Sequence, residues 1–397
     1  MKKSVYLLFV FYFVQGLIHN LGHPLTPTYV NMLGLNPRMF GFFFSFMSLG
    51  IVVGSPWWGI LGDRYPKKPL IVIGLLIYSV GQVGFVTFET PYLMTFFRFV
   101  SGFGVSASVT LILAIAIGVT QGQERVKVLS ITAAMMALGA TFGYQIGGQL
   151  GRFFITEVFY IQAALNTLYA VAIFGFLKVP AELKNGRAMS FSKHFKTAFI
   201  LPRSLLVFLL GLSLATIAAT NISKYLDVYV IDQGYTTSQL GNFVFVTGLV
   251  GLFTNFVIVP YLTKFNRNIL FMRYLQLISA VVIVATFQFT ALRVALYSIF
   301  MIYVVMKSTF EPLEKHHISL NADATTYASL MGVRQMFFSI GMVLGPLISG
   351  FIYEFNPLFV FYFSALMFVF AFILISLSSQ SSKAILNEEI PLEVLSN

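Results

Sequence analysis

About a dozen stretches of this chain are apolar over close to the ~20 residues that a helix needs to cross a ~30 Å hydrocarbon layer. They fall at 5–29, 38–60, 70–88, 92–118, 127–150, 157–177, 204–231, 237–262, 270–290, 294–313, 327–352 and 357–379. Spans and connections use all 397 residues, so no soluble domain fits in what remains. Composition agrees, with 57 % hydrophobic and 10 % charged side chains where a soluble domain carries roughly 25 % charged. Lys2-Lys3 followed by an apolar run resembles a signal peptide, but the run continues past twenty residues without a small-residue cleavage site, so it reads as a first transmembrane helix. The expected fold class is all-α and integral to the membrane, with twelve transmembrane helices.

A net charge of +11 would suggest nucleic acid in a soluble chain; here the positions of the cations matter instead. With both termini in the cytoplasm, most of the Lys and Arg fall on cytoplasmic segments. These are Lys2 and Lys3; Arg64, Lys67 and Lys68; Arg125 and Lys127; the group from Lys178 to Arg203; Lys264 and Arg267; Lys315; and Lys383. Only Arg38, Arg152 and Arg293 fall outside, and the opposite topology inverts the bias. The expectation is a multi-pass plasma-membrane protein, monomeric, with cytoplasmic termini, the lipid bilayer around it and no nucleic-acid partner. The chain has no cysteine, which removes disulfides, thiol catalysis and thiolate metal sites. His19, His23, His194, His316 and His317 have no carboxylate at metal-site spacing. No metal, no catalytic residue and no enzyme activity are expected.

One connection differs from the rest. Residues 178–203 are long and basic, and they divide the chain into a bundle at 1–177, a linker, a second bundle at 204–379 and a tail at 380–397. Gly139-xxx-Gly143-Tyr144-x-x-Gly147-Gly148 in the fifth span reappears as Gly341-xxx-Gly345-Pro346-x-x-Ser349-Gly350 in the eleventh. Phe40-Gly41 likewise matches Leu240-Gly241, and Arg64…Lys67 matches Lys264…Arg267. The spacing predicts two pseudo-symmetric six-helix bundles, and parallel repeats with a midplane site are a transporter architecture. Gly139, Gly143, Gly147, Gly341 and Gly345 stand four apart on one face, where helices can approach closely. The uncharged twelfth span reads as lipid-facing, and the acidic tail with Glu388, Glu389 and Glu393 as solvated and disordered.

The connection after the second span reads Gly59-Ile-Leu61-Gly62-Asp63-Arg64-Tyr65-Pro66-Lys67-Lys68. This order, at this place in a six-plus-six chain, resembles the signature loop of the major facilitator superfamily, with Pro66 where that family usually has glycine. Arg98-xxx-Gly102-x-Gly104 in the fourth span is similar to the family's intramembrane arginine motif, and the fifth-span glycines to its antiporter ladder, with Tyr144 in place of a proline. Pro24-x-x-Pro27 is similar to the twelve-helix drug:proton antiporter branch. The resemblance implies alternating access about a cavity between the first, fourth, seventh and tenth spans. It also implies that Asp63, with Gly59, Arg64, Lys67 and Lys68, belongs to a loop that latches the halves.

A charge in the bilayer costs at least ~2.5–3.5 kcal/mol, so each one is a functional candidate. His19 and Arg98 share a depth, and the resemblance implies that His19, Asn20, His23 and Arg98 meet in one polar cluster. Lys307, Glu311 and Arg334 read as a two-cation, one-acid network in the tenth and eleventh spans, and Lys224 with Asp227 as a pair in the seventh. Arg98, Lys224, Lys307 and Arg334 against Asp227 and Glu311 predict a net positive cavity, suited to anionic, zwitterionic or neutral amphipathic molecules. The expected function is a secondary transporter without cofactor that exports small amphipathic compounds, driven by the proton gradient. A carrier of organic anions, sugars or lipids and a non-transporting receptor are the alternatives.

Overall fold

The computed structural model describes residues 3–177, 179, 201–265, 267–320 and 327–385. Among them all regular structure is helical, and eleven helices are long and apolar enough to cross a membrane, with the apolar helix Val5–Asn20 shorter. The first span is Lys3–Asn20, continued after a break by Thr26–Met32. The second to seventh are Arg38–Arg64, Lys67–Thr87, Pro91–Gly118, Gly122–Leu150, Thr156–Phe176 and Arg203–Asp232. The eighth runs from Thr237 through a π-helical turn, Thr254–Ile258, to Phe265; the ninth is Asn268–Gln288. The tenth is Leu292–Tyr297 followed by Ile299–Leu320, and the last two are Tyr327–Phe355 and Pro357–Ile385.

Several boundaries correct the expectation. The first span is not continuous over 5–29, because Pro24 offers no N–H and Pro27 belongs to the first turn of the following helix. Bonds from the His23 N–H to the Asn20 carbonyl (3.4 Å) and from the Thr26 N–H to the His23 carbonyl (3.2 Å) close the break. His23 therefore sits on a turn rather than on a helix face. The tenth helix continues past 313 and so carries Glu314, Lys315, His316 and His317. The twelfth continues past 379 to Ile385, while the linker residues 180–200 and the acidic end of the tail, 386–397, lie outside the described residues.

The chain divides into two compact units, one of Met1–Ala188 with Leu226–Leu249 and the other of Met189–Tyr225 with Val250–Asn397. In this grouping the end of the seventh span and the start of the eighth go with the first unit. Hydrogen bonds hold the start of the eighth span there, from Gln145 and Gln149 to Asn242 Oδ1 (2.7 and 3.0 Å), from Thr237 to the Gly148 carbonyl (3.1 Å) and from Ser238 to Gln149 (2.9 Å).

The glycine ladder behaves as its spacing predicts. Gly139, Gly143 and Gly147 press against the Phe13, Leu17 and Leu21 carbonyls of the first span, and a Cβ at any of them would overlap that backbone. In the second unit Gly341 lies on Thr216 and Gly345 on Asn221 and the Ile217 carbonyl, so the eleventh span rides on the seventh as the fifth rides on the first. Pro346 follows inside the eleventh helix. The buried Asn221, with its amide nitrogen turned toward that helix, donates to the Gly345 carbonyl (2.6 Å) and to Ser349 Oγ (2.9 Å).

Candidate functional site

The first unit encloses a polar seam between its first, third, fourth and sixth spans. Gln15 donates to Ser108 Oγ (2.8 Å). Asn166 spends its amide nitrogen on the Leu75 carbonyl (2.7 Å) and Ser79 Oγ (2.9 Å), so its oxygen accepts from His19 Nε2 at 3.0 Å and fixes the proton there. Gln162 donates to the Ile18 carbonyl (2.8 Å) and to the Tyr78 hydroxyl (3.0 Å), and the His19 ring lies 4.6 Å from that of Tyr78.

Arg98 is 4 % exposed, with the Phe85 ring 3.6 Å and the Phe159 ring 5.8 Å from its guanidinium carbon. Its hydrogen bonds, to Gln82 Oε1 and Thr26 Oγ1, are both 3.4 Å long. Its charge is thus held largely by aromatic faces, which suit a delocalised, weakly hydrated cation.

The expected single cluster of His19, Asn20, His23 and Arg98 is not formed. His19 and Arg98 flank Tyr78 inside the unit, Asn20 turns back to the Gly16 carbonyl (2.8 Å), and His23 leaves on the turn that ends the first helix. There His23 stacks between Phe44 (5.1 Å, 22°) and Tyr144 (5.7 Å, 8°). The Tyr144 hydroxyl donates to Asp227 Oδ2 at 2.8 Å, and Asp227 is 2 % exposed. The residue standing where the antiporter ladder has a proline therefore holds the seventh-span acid. Lys224, one turn earlier, is half-buried.

In the second unit the tenth–eleventh network has a different acid at its centre. Arg334 donates through Nε to Glu314 at 2.6 Å, and the two side chains are 3 % and 0 % exposed. Glu311 is half exposed, takes Lys315 at 2.7 Å and meets Arg334 only at 3.7 Å. Lys307 stands one turn before it, exposed. Glu314 was missed because the tenth span was expected to end at 313. Removing one partner of a buried pair leaves a charge uncompensated. Glu314→Gln is therefore expected to cost ~3–5 kcal/mol and Glu311→Gln under ~1 kcal/mol. Thermal unfolding of the purified variants checks this, and equal shifts would contradict it.

The signature connection is mostly helix. Residues 59–64 belong to the second span, leaving Tyr65 and Pro66 as the turn. Pro66 has φ −56°, a natural value for proline, so glycine is not required there. Lys67 caps the preceding helix by donating to the Gly62 carbonyl (2.8 Å), and Lys68 lies over the Phe174 ring (5.2 Å). Asp63 is half-buried and Arg64 exposed. Nothing lies within 4 Å of where a Gly59 Cβ would stand. Gly59→Ala is accordingly expected to raise helix stability by ~0.5–1 kcal/mol without loss of protein; a lower melting temperature would show that another role holds this glycine.

The family model described as Major Facilitator Superfamily matches residues 7–329. Multidrug resistance protein 1 of Bacillus subtilis (strain 168) is 25 % identical over 352 residues, covering 86 % of this chain and 87 % of that protein. Quinolone resistance protein NorA of Staphylococcus aureus (strain MRSA252) is 20 % identical over 358 residues, covering 89 % of this chain and 91 % of that protein. Among solved structures, the nucleoside transporter NupG (D323A mutant) superposes with a TM-score of 0.77 at 16 % identity, covering 95 % of this chain and 99 % of that one.

Proposed function

Since the chain belongs to the Major Facilitator Superfamily and is a transporter rather than an enzyme or a receptor, we propose that it exports small amphipathic organic compounds in exchange for protons. In this reading it works as a monomer in the cell membrane with both termini in the cytoplasm. The observation that carries it is the buried Asp227 carboxylate, held by Tyr144 beside the His23–Phe44 stack. A buried acid is a group that can carry a proton across the cycle. The family relatives named for multidrug and quinolone resistance support the same substrate class.

The chemistry follows from one hydrogen bond. An ionised Asp227 makes a charge-assisted bond with the Tyr144 hydroxyl, roughly twice as strong as the neutral bond that remains once a proton is taken up. Protonation thus loosens the fifth span from the seventh, and deprotonation tightens it. The rival reading, a carrier of organic anions, sugars or lipids, leaned on a positive excess at the site. Arg98 is enclosed by Phe85 and Phe159, and Arg334 is paired with Glu314, so neither offers an unopposed charge to an anion. The test is uptake into proteoliposomes of matched cationic, neutral and anionic amphipathic dyes under an imposed pH gradient. Gradient-dependent movement of the cationic and neutral dyes is expected. Movement of the anionic dye alone, or indifference to the gradient, would overturn the reading.

A further inference from the structure

The third and sixth spans of the first unit also line a groove of about 530 Å³, which adjoins the polar seam at Ser79 and is large enough for a small-molecule ligand. Its floor is Phe97 of the fourth span, which packs flat on Phe88 (5.2 Å, 2°). The space exists because Gly84, Ala163 and Ala164 bring no bulk to the walls, and a Cβ on Gly84 would strike the Phe97 ring. Its rim is apolar and open: Val80 is 59 % exposed, and Leu76, Leu168 and Val171 beside it are 41 %, 64 % and 64 % exposed. On membrane-crossing helices such a surface has hydrocarbon as its solvent.

The two ends differ in chemistry. At the deep end Ser79 and Thr167 hydrogen-bond to each other (3.1 Å) and to the Ala163 carbonyl. At the other end, where the third helix stops and the sixth begins, Thr87 and Tyr160 share one hydrogen bond (3.1 Å) and so keep one hydroxyl proton free to donate. Ser79 and Thr87 are eight residues apart on one helix, about 12 Å along its axis. A slot of that length, with the deep hydroxyl protons of Ser79 and Thr167 spent within the protein and a free hydroxyl proton at the membrane-surface end, matches one acyl chain whose ester carbonyl lies at the level of Thr87 and Tyr160.

We propose that the groove between the third and sixth spans is a binding site for one acyl chain of a bilayer phospholipid. The site is separate from His23, Tyr144 and Asp227 and does not depend on the identity of the exported compound. The test is photolabelling of the full chain in nanodiscs of phosphatidylcholine with a diazirine on one acyl chain. Labelling of the segments Val83–Phe88 and Tyr160–Thr167 is expected to exceed that of the exposed Phe359, Leu366 and Phe370 of the twelfth span several-fold. Ala164→Phe and Val80→Trp, which fill the groove from its exposed rim, are expected to cut that labelling several-fold and leave the twelfth span unchanged, while Val10→Phe, at an exposed position of the first span away from the groove, has no effect. Groove labelling no higher than that of the twelfth span would overturn the proposal, as would insensitivity to both filling variants. Displacement of the label by a transported amphipathic dye would overturn it too, by assigning the groove to substrate entry.

Discussion

Asp227→Asn is expected to abolish gradient-driven transport while the protein still folds. Asparagine keeps the size of the side chain and can accept the Tyr144 hydroxyl through Oδ1, so the contact between the fifth and seventh spans survives. What is lost is the ability to take and release a proton. Tyr144→Phe acts differently, because it removes the hydroxyl that donates to the buried carboxylate, a loss of ~1–3 kcal/mol. It is expected to slow transport while leaving it driven by the gradient. His19→Gln with His23→Gln is the control. His19 is tied to Asn166 and His23 is stacked, so the pair is expected to keep the pH dependence even if the rate falls. Full coupling in Asp227→Asn would place the proton elsewhere.

The architecture was legible because lipid leaves the sequence few options. Span lengths, glycine spacing and the repeat all carry over into which backbone meets which. The structure adds a sign of the same repeat in the connections. Gly34 (φ 62°) and Gly234 (φ 83°) end the helices before the second and eighth spans with the same pair of bonds, Leu35 to Val30 with Gly34 to Asn31, and Tyr235 to Val230 with Gly234 to Ile231. Those glycines stand at matching places in the sequence, where the pattern could have been read.

The site was legible only in its residue types. Equal depth on two helices does not say which way a side chain points, so Arg98 and His19 were grouped with His23, although Pro24 turns His23 away. Tyr144 counted as a departure from a motif, and only its geometry shows that the hydroxyl holds Asp227. Glu314 was hidden by a helix end, since hydropathy falls where a charged turn continues a span, and hydropathy alone cannot tell such a turn from a loop.

Gly143→Val is expected to remove most of the folded protein. Its Cβ would overlap the Leu17 carbonyl of the first span, and neither helix can retreat without also separating Gly139 from Phe13 and Gly147 from Leu21. Overpacking of side chains costs ~1–3 kcal/mol, and contact with backbone rather than a flexible side chain puts this substitution at or above the top of that range. Size-exclusion profiles of a fluorescent fusion should show aggregated protein for Gly143→Val beside a normal peak for Gly59→Ala. A monodisperse Gly143→Val with an unchanged melting temperature would mean that the fifth and first spans do not pack as described.

The most direct measurement is proton release on substrate binding, followed in weakly buffered detergent solution with a pH indicator. Exchange through Asp227 requires the wild-type protein, at a pH where that acid is protonated, to release about one proton per substrate bound, and Asp227→Asn to bind without releasing any. Binding without release in the wild type, or equal release in Asp227→Asn, would contradict the account.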